Sequence, residues 1–154
     1  MKQHFKRIQT ILVLLLLTGA AIGCSKPEAG TPIEYSDPVF GELLKAELKK
    51  DTITQEDLDK YTRITIGGDH FISLSGGDIP EKSIILFFGT EVELEGMRYK
   101  GYGTMISLED LKHFRNLEKL QITLQPDIDY STLPQEVLSK LRMVSITQSQ
   151  LKNI

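Results

Sequence analysis

The sequence predicts an α/β fold: a short solenoid of repeated units, with a helical cap at its N-terminal side and an irregular β-rich middle. Two observations support this fold class. The pattern apolar-x-x-apolar-x-x-apolar-x-apolar fits the chain at three places, and a helix-start signal precedes the first of them. The 154 residues, 40% of them hydrophobic, suffice for one domain with a core and exclude a large multidomain enzyme.

The first 23 residues are predicted to be a signal peptide. Lys2, Lys6 and Arg7 form a basic start, residues 11–17 are an unbroken apolar run, and mostly small residues follow up to Gly23. The apolar stretch that ends at Gly23 is about thirteen residues long, whereas a helix that crosses a bilayer needs roughly 18 or more. A permanent transmembrane anchor is therefore the weaker interpretation.

The only cysteine of the chain, Cys24, follows this leader directly. The segment Ala21-Ile22-Gly23-Cys24 resembles the lipobox of bacterial lipoproteins, with Ala21 in place of the more usual Leu. The resemblance covers residues 1–24 and implies that Cys24 becomes the mature N-terminus and carries a diacylglycerol. Its acyl chains would hold the protein on the cell membrane, facing outside the cytoplasm. The alternative is an ordinary signal peptide followed by an incidental free thiol.

The chain after the leader is predicted to consist of a tether, 24–36, and a folded domain, 37–154. The tether contains Pro27, Gly30 and Pro32 and shows no apolar period. Without the three basic residues of the leader, 15 basic residues stand against 21 acidic ones. This acidic balance gives no indication of nucleic-acid binding.

The folded domain is predicted to begin with a helical cap. Asp37 suits an N-cap and Pro38 the first helical position, and apolar residues then recur at helical spacing up to Leu48. A second short helix is expected from the capping-box pairs Thr52 with Gln55 and Thr54 with Asp57.

The three fits to the apolar pattern predict repeated units, each with a helical turn, a strand and a return loop. The second and third fits are 24 residues apart, within the 20–29 residues of leucine-rich repeats. The three sets are Leu58, Tyr61, Ile64 and Ile66; Phe114, Leu117, Leu120 and Ile122; and Leu138, Leu141, Val144 and Ile146.

This arrangement resembles bacterial leucine-rich-repeat domains of the internalin-like kind, over about 37–66 and 106–154. The string Ile53–Leu58 also reappears as Ile106–Leu111, although the two align with their strands only across a three-residue gap. The asparagine that usually follows the strand is missing, and Gln125 and Ser149 occupy its neighbourhood. Leu151 and Ile154 are expected to pack on the return side of the last unit.

The middle segment, 67–105, is predicted to be a β-rich insertion, or alternatively degenerate repeats with long loops. Glu91, Glu93 and Glu95 alternate with Val92 and Leu94, as on a strand with one buried face. Gly67-Gly68-Asp69 and Gly76-Gly77-Asp78 predict turns, since glycine adopts positive φ readily, and Glu95-Gly96 predicts a two-residue turn.

The sequence contains no recognisable catalytic, cofactor or metal motif, and we predict that the protein is not an enzyme. GxSxG, P-loop, GxGxxG and HExxH patterns are all absent. The carboxylates Glu91, Glu93 and Glu95 suit a cation site or an acid–base pair, but a solvated strand face explains them better. His113 is expected on the outer surface of a repeat helix, and no metal or cofactor site is predicted.

The predicted functional surface is the strand face opposite the core, because solenoids present such rows of side chains to their partners. The expected partner is another protein of the cell envelope or the extracellular space. The alternative is a glycan or small-ligand site in the middle segment around Phe87, Tyr99 and Tyr102, whose rings suit stacking on sugars. The predicted partner-binding residues are Arg63, Thr65, Lys119, Gln121, Thr123, Met143, Ser145 and Thr147.

Overall fold

The computed structural model describes residues 30–149, and over this range the protein is a mixed α/β fold. The predicted signal peptide, Cys24, the first part of the tether, and Leu151 and Ile154 lie outside the described residues. The described part contains three α-helices and seven strands in two sheets.

The described part of the chain forms three α-helices, two 3₁₀ helices and seven strands. The helices are α1 (Pro38–Leu48), α2 (Gln55–Leu58) and α3 (Gln135–Leu138), and the 3₁₀ helices are η1 (Glu109–His113) and η2 (Tyr130–Thr132). The strands are β1 (Arg63–Gly67), β2 (Phe71–Ser75), β3 (Ile84–Leu86), β4 (Glu91–Leu94), β5 (Met97–Lys100), β6 (Lys119–Thr123) and β7 (Met143–Thr147).

The main sheet has the strand order β2-β1-β6-β7, with β1, β6 and β7 parallel and β2 antiparallel to β1. Its register matches the apolar pattern residue for residue, because Ile64 lies beside Leu120 and Leu120 beside Val144. The predicted alignment of the three strands is thereby confirmed. We call residues 58–69, 114–125 and 138–149 units 1, 2 and 3. The second sheet, β3-β4-β5, is antiparallel and lies within the predicted β-rich middle.

The core lies against one face of the main sheet and is filled unequally by the three units. Unit 3 leaves Leu138 and Val144 exposed, at 45% and 47%, and buries Leu141 and Ile146 only in part. Units 1 and 2 bury all eight of their patterned residues, Leu58, Tyr61, Ile64, Ile66, Phe114, Leu117, Leu120 and Ile122.

The predicted helical cap is confirmed in position and in its capping residues. Pro38 is the first residue of α1, and the Asp37 carboxylate accepts hydrogen bonds from the N–H groups of Val39 and Phe40. The helix lies against β2, at the N-terminal end of the core. Its Phe40 ring meets Phe114 of unit 2 edge-on, with 6.2 Å between the ring centroids.

The second predicted helix start is confirmed for the pair Thr54 and Asp57, whereas the pair Thr52 and Gln55 does not cap the helix. The Asp57 carboxylate accepts a hydrogen bond from the Thr54 N–H at 2.9 Å, which is one half of the capping box. The predicted turns also have the conformation expected of them, since Gly68, Gly76 and Gly77 have positive φ. Glu95 and Gly96 form the two-residue turn between β4 and β5.

The described part of the predicted tether, 30–36, lies against the domain. Pro32 forms an isolated antiparallel bridge with Thr54, and the Ile33 N–H donates to the Ile53 carbonyl at 2.9 Å. The side chains of Ile33 and Tyr35 pack on the core. Because Ile33 and Tyr35 are two residues apart in an extended segment, their side chains point to the same side, and this side of the segment is apolar.

Candidate interaction surfaces

The eight residues predicted to bind a partner are brought onto one face of the main sheet, opposite the core. The strand register places Arg63 beside Lys119 and Lys119 beside Met143. Two further rows run parallel to this one, because the strands are parallel and their residues alternate between the two faces. These rows are Thr65, Gln121 and Ser145, and Gly67, Thr123 and Thr147.

Part of this face is covered by the second sheet. Phe71 of β2 lies on the same face as the predicted contact residues and packs with Val92 and Leu94 of β4. On the same face Thr65 and Thr123 are buried, at 2% and 0% exposure. In this conformation neither side chain is available to a partner, although the sequence placed both in the binding face.

The two ends of the face, at Arg63 and at Thr147, are also less accessible than the sequence suggests. Arg63 forms an ion pair with Glu81, and its side chain is only 16% exposed. The hydroxyl of Thr147 is buried. Lys119 is exposed and makes no ion pair with any of residues 30–149. The accessible remainder, which we call the open strip, consists of Lys119, Gln121, Met143 and Ser145.

The residue that directly follows each of β1, β6 and β7 has the same backbone conformation in all three units. Gly68, Leu124 and Gln148 hold the same position in units 1, 2 and 3, and all have positive φ, of 53°, 60° and 49°. Glycine is common in this conformation, and leucine and glutamine are not. In the sequence, each of these residues lies ten positions after the first apolar residue of its unit, and this constant spacing marks the three as equivalent.

Gln125 and Ser149, which follow β6 and β7 at equivalent positions, form hydrogen bonds between units. The Gln125 side chain is fully buried, and its Nε2 donates to the Gly68 carbonyl of unit 1 at 2.8 Å. The Gln125 backbone N–H donates to Ser149 Oγ of unit 3 at 2.9 Å. These two residues therefore form a polar link along the units.

Equivalent residues also make equivalent contacts before the strands. The Glu118 N–H donates to the Thr62 carbonyl at 2.8 Å, and the Arg142 N–H donates to the Glu118 carbonyl at 2.8 Å. Side chains two residues earlier in each unit also contact the preceding unit. Asn116 Nδ2 of unit 2 donates to the Asp59 carbonyl of unit 1, and Lys140 Nζ of unit 3 donates to the Arg115 carbonyl of unit 2. Units 1, 2 and 3 therefore repeat in their contacts as well as in their apolar pattern.

Two of the three carboxylates considered for a cation site or acid–base pair, Glu91 and Glu93, are engaged by basic side chains, and Glu95 lies in the turn after β4. Glu91 lies 3.4 Å from Lys100, and Glu93 lies 3.4 Å from Arg98. Both pairs cross from β4 to β5 on the outer face of the second sheet. Among residues 30–149, no three His, Cys, Asp or Glu side chains are grouped as a metal site.

The expected outer position of His113 was wrong. The His113 ring is half-buried and meets the Tyr35 ring edge-on, with 5.9 Å between the ring centroids. Burial, followed by the charge of Lys112, lowers the pKa of His113 below its usual value. The reason for the error is the docked segment 30–36, which covers this side of η1.

The aromatic residues of the alternative glycan site do not share one surface. Tyr99 lies between His70, with which it stacks at 5.6 Å, and Phe71, at 5.5 Å between ring centroids. The guanidinium of Arg98, the preceding residue of β5, lies over the Phe87 ring at 4.3 Å. Since successive strand residues face opposite sides, Phe87 and Tyr99 lie on opposite faces of the second sheet.

A second accessible surface lies at the C-terminal end of the main sheet. It is a groove of about 430 Å³, which we call the apolar groove. The core-facing side chains of unit 3 form one side of it, and the return side of unit 2 forms the other. The lining residues are Tyr130, Ser131, Leu133, Gln135, Leu138, Val144 and Ile146.

Comparisons of the chain with protein-family models, with curated proteins and with solved structures give no significant match. Function is therefore inferred from the residues and contacts of the chain itself. Within residues 30–149, no helix has both the length and the apolar character that crossing a bilayer requires.

Proposed function

We propose that the protein is a bacterial lipoprotein that is held outside the cytoplasm by a diacylglycerol on Cys24 and binds another protein through a short leucine-rich-repeat-like domain. The observation that carries the proposal is the repetition of contacts between units. The same hydrogen bonds lead from unit 1 to unit 2 and from unit 2 to unit 3, as expected of stacked repeats. The proposed role is binding without catalysis, and its partner belongs to the cell envelope or the extracellular space.

The open strip is the proposed contact surface because it combines accessibility with a rigid support. Its side chains stand on β6 and β7, whose backbones are fixed by pairing within the main sheet. Lys119 supplies an exposed positive charge, Gln121 and Ser145 supply hydrogen-bonding groups, and Met143 supplies an adaptable apolar contact. A partner surface with acidic and hydrogen-bonding groups around an apolar centre complements this set.

Reversing the charge of Lys119 is expected to weaken binding of the partner. A photo-cross-linking residue at position 121, introduced in cells, is used to capture the partner and identify it by mass spectrometry. With Lys119→Glu, the yield of the adduct should fall by about tenfold or more, because placing like charges together costs on the order of several kcal/mol.

The matched control is Lys112→Glu, which makes the same charge change at an exposed residue of η1, outside the strand face. Its adduct yield should stay at the level of the unchanged protein. An undiminished adduct with Lys119→Glu, or an equal loss with both variants, would contradict the assignment of the open strip.

The proposed anchor is tested at Cys24. Globomycin, which blocks the lipoprotein signal peptidase, should cause the unprocessed chain to accumulate, because processing depends on lipid-modified cysteine at this position. Cys24→Ala should remain unprocessed and carry no acyl chain, as measured by gel mobility and mass spectrometry. Normal processing of Cys24→Ala would refute the anchor without bearing on the open strip.

A further inference from the structure

Strand β7 is an edge of the main sheet and lacks the features that protect natural edges. Exposed edges usually carry charged residues, proline or a bulge, which prevent pairing with another chain. The five residues of β7, Met-Val-Ser-Ile-Thr, include no charge, no proline and no glycine. Three of the five are β-branched, which favours pairing in a sheet.

The opposite edge of the main sheet, strand β2, is contacted by a helix. The Leu74 N–H of β2 donates to the Glu47 carboxylate of α1 at 3.2 Å. Lys82 also binds Glu47, with its Nζ 2.6 Å from the carboxylate. Helix α1 therefore covers the core and engages the edge at this end, and among residues 30–149 no helix or strand does so beyond β7.

The uncovered edge and the apolar groove belong to one surface. Val144 of β7 faces the groove and is 47% exposed, whereas its equivalents Ile64 and Leu120 are buried. Leu138 is likewise 45% exposed where Leu58 and Phe114 are buried. A strand added beside β7 would extend the sheet and cover these side chains in the same step.

We infer that β7 pairs antiparallel with β7 of a second copy of this chain, about a two-fold axis at Ser145, and that the two apolar grooves close against each other. In this register Ser145 faces its own counterpart, and Val144 faces Ile146 of the second copy on the core side. Met143 faces Thr147 on the other side. The strand can therefore pair with itself, because its two core-side residues, Val144 and Ile146, face each other and no like charges meet.

A second copy in two-fold arrangement fits better than an open chain of copies. In head-to-tail addition, β7 of one copy would pair with the outer edge of β2 of the next, and Glu47 and α1 already engage that edge. Such addition would also leave an edge free for the next copy and produce fibres, whereas a two-fold pair closes on itself. This inference goes beyond the proposed function and does not rest on it.

Disulfide cross-linking of the full chain in its membrane tests the register. Residues directly opposite each other in an antiparallel pair have Cβ atoms about 4.5–5.5 Å apart, close to the separation in a disulfide. Ser145→Cys should therefore convert most of the chain into a covalent dimer on mild oxidation. Gln121→Cys, on the interior strand β6, is the control and should give only the background of the unchanged chain, which contains Cys24 alone.

A charge placed at the edge tests the association itself. The full chain, purified in detergent, should have twice the mass of one chain by light scattering, and Val144→Lys should halve that mass. Met97→Lys places the same charge at an exposed apolar residue of β5 and should leave the dimer intact. Since Val144 is half-exposed, both variants should retain the circular dichroism of the unchanged chain.

The inference is overturned if the unchanged chain has the mass of one copy, because the groove is then covered within the chain or left open. It is equally overturned if Ser145→Cys gives no more dimer than Gln121→Cys. None of these results affects the test of processing at Cys24.

Discussion

Replacing Gly76 by alanine should lower the free energy of unfolding by about 3 kcal/mol, since backbone strain of this kind costs on the order of 1–3 kcal/mol and a steric clash is added to it. Gly76 has a φ of 145°, which side-chain-bearing residues rarely adopt. A Cβ at this position would lie 2.5 Å from the Thr62 backbone nitrogen and 2.7 Å from Thr62 Oγ1. The Thr62 N–H donates to the Ser75 carbonyl, so relief of the clash would disturb the pairing of β1 with β2.

The neighbouring glycine provides the matched control. Gly77 also has a positive φ, of 55°, but a Cβ there would meet no atom within 4 Å. Gly77→Ala should therefore cost only the conformational strain, about 1 kcal/mol. Urea unfolding followed by circular dichroism measures both variants, and equal losses would show that the contact with Thr62 contributes nothing.

Replacing Asp110 by asparagine should destabilise the protein by about 3 kcal/mol and release the segment 30–36, since hydrogen bonds to a charged group contribute roughly 1.5–3 kcal/mol each. Asp110 is 2% exposed. Its two carboxylate oxygens accept hydrogen bonds from the backbone N–H groups of Ser36 and Asp37, each at 2.8 Å. Asparagine of the same size would turn its NH₂ group towards one of these N–H groups, leaving two donors face to face.

The preceding residue separates this effect from a general change of charge. Glu109 is exposed and, among residues 30–149, forms its ion pair with Lys112 alone, so Glu109→Gln removes the same charge at almost no cost. Limited proteolysis within 30–36 should become faster in Asp110→Asn and remain unchanged in Glu109→Gln. Stability of Asp110→Asn equal to that of the unchanged protein would show that the hydrogen bonds to Asp110 do not hold the segment.

The parts of the fold that could be predicted from the sequence depend on local signals or on a repeated pattern. The start of α1 was predictable because Asp37 and Pro38 act within one turn of the chain. The alignment of β1, β6 and β7 followed from the apolar pattern, since equivalent residues of stacked units become neighbours in the sheet.

The errors arose where a distant segment covers a surface that local patterns leave open. His113 was expected on the outer surface of a repeat helix, and the residue that covers it, Tyr35, comes from the predicted tether. Thr65 and Thr123 were expected in the binding face, and both are buried, on a face that the second sheet covers in part. The adjacent apolar residues Phe71 and Ile72 carried the available signal, since a strand apolar on both faces needs cover on both.

The insertion between β1 and β6 has a consequence for how the chain folds. The paired residues Lys119 and Met143 are 24 positions apart, whereas Arg63 and Lys119 are 56 apart, because the second sheet lies between them. The entropy of closing a loop grows only with the logarithm of its length, so the longer connection adds about 0.7 kcal/mol. Units 1 and 2 can therefore stack across an inserted sheet almost as readily as units 2 and 3 stack directly, and this junction tolerates inserted sequence at little thermodynamic cost.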